Sequence, residues 1–133
     1  MLYIASKIWH YHIMMCRAVL FDLDGTLLDT LEDMAMAGNK ALTDAGYPPH
    51  PASAYRHIAG SGAHEFMVRA LPEGEAARIG KEGVMRLSMA MRAVYTEKGD
   101  LFTRPYPGIP EVLDYVRGRG LGSAVLSNKP HEN

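Results

Sequence analysis

A chain of 133 residues has room for one small domain, or for a modest core carrying an insertion. Its net charge of −1 and its 47% apolar content give no footprint for nucleic acid or an anionic membrane, and no apolar run is long enough to span a bilayer. The single cysteine, Cys16, excludes an intrachain disulfide framework and a cysteine-cluster zinc site, which suits a reducing cytosol.

In chain order, residues 1–14 fit poorly with the residues after them. Lys7, His10 and His12 interrupt the apolar residues, so no signal-peptide core forms, and the two histidines have no third metal ligand nearby. Met14 and Met15 stand just ahead of Cys16-Arg17-Ala18. The expectation is that translation starts at one of them, residues 1–14 being a leader outside the fold that would be frayed if made. Ala18 to Phe21 is a short apolar run, as in a parallel strand covered on both faces. Asp22 and Asp24 end that run where open α/β sheets bind their ligands, and Gly25 and Thr26 turn the chain. Taken alone, Asp22 to Thr26 also reads as a solvated Asp-rich turn.

Thr30 and Asp33 have the spacing of a capping box, with Asp in place of the usual Glu. Leu31, Met34, Ala35, Gly38, Leu42 and Ala45 follow at helical spacing, and Gly46 supplies the stop. Two short helices are predicted between Ser53 and Leu71, split by Gly60-Ser61-Gly62. Arg56, His57 and His64 flank that loop and read first as solvated positions, with contact to an anionic substrate as their other use. A long helix is predicted from Glu73 to Lys98, with Ile79, Leu87, Met91 and Val94 on one face and Gly80 and Gly83 weakening its first turns. No strand is expected between about residue 30 and residue 103. Three prolines, Pro105, Pro107 and Pro110, then stiffen a linker into a short amphipathic helix marked by Ile109, Val112, Leu113 and Val116. Gly118-Arg119-Gly120 ends that helix. Leu121 to Leu126 is a second apolar strand with Ser127-Asn128-Lys129 at its tip.

Asp22-Leu23-Asp24-Gly25-Thr26 after an apolar strand resembles the first motif of the haloacid dehalogenase (HAD) superfamily of phosphatases and phosphomutases. Ser127 at the end of the second strand is similar to the second motif of its phosphoglycolate phosphatase branch. The resemblance implies an α/β fold: a partial HAD-type Rossmannoid core holding the first two parallel strands, with an inserted α-helical cap. Residues 15–29 and 104–133 would be core and 30–103 cap, the C-terminal core strands lying outside this chain. Gly60-Ser61-Gly62 would be the cap loop facing the reacting centre, or simply a helix-breaking turn.

The same resemblance implies that Asp22 is the nucleophile and Asp24 the general acid and base. Gly25, Thr26, Ser127 and Asn128 would hold the phosphate. Mg²⁺ would sit on Asp22 and on the Asp24 carbonyl. The family's third-motif lysine and fourth-motif acids are not found, and Lys129 belongs instead to the second-motif loop. The function implied is that of a cytoplasmic Mg²⁺-dependent phosphatase acting on a small phosphorylated metabolite such as phosphoglycolate, with no nucleic-acid or membrane partner and the oligomeric state open. Without those motifs, and with the first strand left as an apolar edge, this chain alone is expected to be inactive and prone to aggregate. A non-catalytic remnant or interaction module using the open sheet edge is the alternative of another class. A phosphomutase of the β-phosphoglucomutase kind shares the motifs and differs in cap contacts.

Overall fold

The computed structural model describes residues 16–98 and 100–128. The expected start at Met14 or Met15, the His10/His12 pair and Lys129 lie outside those residues. Four strands and five helices follow one another: β1 (Ala18–Asp22), β2 (Leu28–Asp29), α1 (Leu31–Asp44), α2 (Tyr55–Ile58), α3 (Gly62–Ala70), α4 (Glu75–Lys98), β3 (Arg104–Pro105), α5 (Ile109–Gly118) and β4 (Gly122–Leu126). A 3₁₀ turn, Ala52–Ala54, leads into α2.

As expected, no strand falls between residues 30 and 103 among the described residues: this interval is helical, and it holds nearly all of the buried apolar side chains. Ala35, Ala41 and Leu42 of α1 meet Phe66 and Met67 of α3 and Val84, Leu87 and Met91 of α4. Each large apolar group here contributes about 1.5–3 kcal/mol by leaving water. Small residues on α1 let the helices approach closely. Helix α1 ends in a Schellman motif, with the Gly46 amide donating to the Thr43 carbonyl at 3.0 Å and the Tyr47 amide to Leu42 at 2.9 Å. The Gly46 stop is therefore where the sequence puts it. Helix α4 starts two residues later than expected and breaks at Gly80, whose φ of 66° and ψ of 179° suit only glycine.

The capping box at Thr30 does not form. The Thr30 side chain makes no cap bond, and Asp33 turns away from the helix end to bind the distant segment 102–103. The physical reason is competition: a linker amide pair and a hydroxyl offer the carboxylate more donors than one helix-end amide does.

The two longer strands pair in parallel, Ala18 opposite Gly122 through Asp22 opposite Leu126. Strand β1 has β4 as its one neighbour among the described residues, so it is not covered as a central strand would be: Leu20 is 72% and Leu126 71% exposed. For the same reason the apolar face expected of α5 is only partly used. Val116 is buried, whereas Val112 and Leu113 stay open to solvent. A second pairing, missed by the sequence reading, joins β2 to β3 in antiparallel register, Leu28 with Pro105 and Asp29 with Arg104. It lays the segment between β1 and α1 beside the segment between α4 and α5. No described helix is long and apolar enough to cross a membrane.

Candidate active site

Strand register assembles the site. Because β1 and β4 run parallel and end together at Asp22 and Leu126, the residues that follow each strand emerge at one edge. After β1 the chain closes a tight loop in which the Leu23 carbonyl accepts from the amides of Thr26, Leu27 and Leu28 at 3.3, 3.0 and 3.0 Å. The Gly25 amide returns a bond to the Leu28 carbonyl at 2.8 Å, with Gly25 at φ 81°, a conformation a side chain would strain. These bonds run through the Leu23 and Leu28 carbonyls rather than that of Asp24. Leu27, within the loop, is buried.

The loop and the tip of β4 open into a cleft of ≈ 1480 Å³ whose other wall is helical. Asp22, Asp24, Gly25, Ser127 and Asn128 all line it, so five of the six residues expected at the site share one cavity. Thr26 is not on its lining, but its hydroxyl donates to Asp22 Oδ2 over a long 3.4 Å. One oxygen of Asp24, Oδ1, is buried and lacks a hydrogen-bond partner among the described residues. A native fold rarely leaves such an atom without purpose, since an unmet buried acceptor costs about 1–3 kcal/mol.

Gly60 and Gly62 also line the cleft, and the Gly60 carbonyl accepts a 3.1 Å bond from Asn128 Nδ2. The glycine loop thus faces the strand ends, settling the choice between a cleft-facing loop and a plain turn. Of the basic residues flanking it, Arg56 lines the cleft, whereas His57 and His64 are exposed and stand off its lining.

Three residues at or beside the site escaped the sequence reading. Tyr95 and Arg92 of α4 line the cleft, and burial, with the carboxylates of Asp24 and Asp33 adding to it, pushes the Tyr95 phenol up to about 12 despite a bond to Thr103. It is a neutral donor at ordinary pH. Their signal lay in the helical spacing of Met91 and Tyr95, which share a face. The third, Asp33, stands off the lining; it is fully buried, and its Oδ2 accepts from the Thr103 amide at 2.7 Å, the Thr103 hydroxyl at 2.6 Å and the Phe102 amide at 3.1 Å.

The family model of the haloacid dehalogenase-like hydrolases matches residues 19–133. The chain belongs to this family. Among curated relatives, the phosphoglycolate phosphatase of Pseudomonas putida is 36% identical over 115 residues, covering 86% of this chain and 42% of its own length. The phosphoglycolate phosphatase of Aquifex aeolicus is 36% identical over 117 residues, covering 87% of this chain and 51% of its own. The chain spans about half the length of these HAD relatives. A crystal structure from Lactobacillus delbrueckii subsp. bulgaricus, provisionally assigned as a phosphoglycolate phosphatase, superposes with a TM-score of 0.77 at 27% identity, covering 86% of this chain and 55% of that one.

Proposed function

We propose that the chain carries the nucleophile-bearing part of a phosphomonoesterase site of the phosphoglycolate phosphatase type, acting in the cytosol on a small phosphorylated metabolite. The observation that supports this most is the shared cleft at the ends of β1 and β4, where Asp22 and Asp24 meet Ser127 and Asn128. Relatives carrying that name make phosphoglycolate the leading substrate.

In this reading an Asp22 carboxylate oxygen attacks phosphorus, and the phosphorus–ester oxygen bond breaks as the aspartyl–phosphate bond forms. Asp24 gives its proton to the departing alcohol. It then takes one from the water that attacks phosphorus, so that inorganic phosphate leaves and Asp22 is regenerated. The orphan oxygen of Asp24 suits a group that must exchange a proton with substrate rather than with a fixed partner. The hydroxyl of Ser127 and the backbone amide of Asn128 donate to phosphoryl oxygens, with Gly25 and Thr26 supplying the loop on the other side.

The donor set suits Mg²⁺, a hard cation that accepts one or two carboxylates plus water and phosphate. The Asp22 carboxylate and the Asp24 carbonyl would hold it, and no cluster of three acidic, histidine or cysteine side chains exists among the described residues to add more. The ion supplies neutralisation of phosphate charge.

Fluorine NMR of the chain with beryllium fluoride and Mg²⁺ tests the nucleophile without requiring turnover. Mg²⁺-dependent bound resonances, lost in Asp22→Asn, are the expected result. The competing reading, a non-catalytic module that binds through its open sheet edge, draws on the exposure of Leu20 and Leu126. It predicts no adduct, and that outcome overturns the phosphatase reading.

A further inference from the structure

Helix α2 is one turn long, yet its faces are sharply divided. Tyr55 and Ile58 are buried, while Arg56 and Ala59, also three apart, line the cleft. The buried side is held firmly. The Tyr55 hydroxyl donates to Asn39 Oδ1 at 2.7 Å, and its ring stacks on Phe66 with centroids 5.2 Å apart. Just beyond α2, the Gly60 carbonyl is tied to Asn128 at the tip of β4. Arg56 therefore stands on a short rigid mount, fixed at both ends, over the cavity that holds Asp22 and Asp24.

Its charge is unmatched. Arg69, Arg78 and Arg117 each pair with a carboxylate three or four residues away, whereas Arg56 meets none among the described residues. The cleft is acidic on balance: Asp29, Glu97 and Asp100 join Asp22 and Asp24 on its lining, against Arg56 and Arg92, and Arg92 already has an interaction partner. A cleft of that sign repels an anion, and a substrate with a second negative group needs a cation away from the phosphate to hold it. A planar guanidinium with paired donors matches a carboxylate in two parallel hydrogen bonds.

We propose that Arg56 forms a cationic subsite for a carboxylate at the far end of the phosphate ester, and so selects short phosphorylated carboxylic acids over uncharged esters. This rests on the phosphatase reading above and deepens it.

The test uses two ligands that differ chiefly in that group, 2-phosphoglycolate and ethyl phosphate, titrated calorimetrically in Mg²⁺ buffer into the full chain carrying Asp22→Asn to prevent turnover. The expected result is tighter binding of 2-phosphoglycolate, with the preference falling about ten-fold when Arg56→Gln is added, the size of one charge-assisted bond. Ethyl phosphate affinity should stay the same, and Arg56→Lys, which keeps the charge without the fork, should fall between. Because Arg56 is exposed, neither change threatens the fold. Equal affinity for the two ligands, or a preference unmoved by Arg56→Gln, overturns the subsite alone. Binding of neither ligand overturns the phosphatase reading and this one with it. A short diol bisphosphate separates the two anion types: if it depends on Arg56 as strongly as 2-phosphoglycolate does, the carboxylate assignment fails.

Discussion

Asp33 and Asp24 are carboxylates nine residues apart with opposite circumstances. Asp33 is fully buried and accepts from donors of residues 102 and 103. Asp24 keeps a buried oxygen that nothing described satisfies. The first is a fastening: it joins the start of α1 to the segment that leads back to the strands. Asp33→Ala strips the acceptor from two amides and a hydroxyl at once. It should lower stability by about 2–3 kcal/mol, read as a drop in the urea midpoint with an unchanged slope. A loss below about 0.5 kcal/mol would show that water replaces the carboxylate without cost. Sequence spacing pointed elsewhere for this residue because a capping box is a local pattern, and the partners of Asp33 lie about seventy positions away.

At the scale of elements, close approach on the helical side depends on Gly38. A methyl group added there would lie 2.7 Å from Phe66 Cε1 and 3.1 Å from Tyr55 Cε1. Those rings are stacked and buried, so neither can swing aside. Alanine would improve helix propensity by about 1 kcal/mol at an open site. Here the clash should outweigh it, and Gly38→Ala is expected to cost about 1–3 kcal/mol net, measured by thermal or urea unfolding. A stabilised variant would mean that α1 can slide away from α3. Helix α5 shows the opposite condition. Its amphipathic pattern was plain in the sequence, and its Schellman end, with the Leu121 amide on the Val116 carbonyl at 3.2 Å, lets it turn directly into β4. Half of its apolar stripe nonetheless remains wet, because a pattern states which face seeks burial and not what is available to bury it.

The molecule as a whole is lopsided. Its packed core is helical, while the site is built on a two-stranded parallel sheet whose residues Leu20, Val125 and Leu126 are open to water. Parallel strands are ordinarily covered on both faces, and an exposed apolar edge invites pairing with another chain. The 133-residue chain is therefore expected to self-associate with rising concentration, seen as growth in light scattering. Leu20→Lys with Leu126→Lys should suppress that growth while leaving the helical signal in circular dichroism unchanged. A monodisperse monomer at high concentration would sink this expectation. The division also orders the unfolding: amides of the helical core should exchange more slowly than those of β1 and β4, since fewer buried contacts hold the strands.

The local chemistry was legible from sequence. An apolar run broken by Asp22 and Asp24, a second run ending at Ser127, and glycines at 46, 60 and 62 specify strand ends, a helix stop and a loop through short-range sterics and patterning. The family resemblance rested on those same residues, and the match over residues 19–133 agrees with it. What only the folded chain decided is which of these pieces meet. The parallel register of β1 and β4 brings Asp22 beside Leu126 and so beside Ser127. The Asn128 bond to Gly60 gives the glycine loop its direction, and the α4 face adds Tyr95 to the cleft. Each of these contacts joins residues far apart in the chain, and contact at that separation is set by packing rather than by local conformational preference.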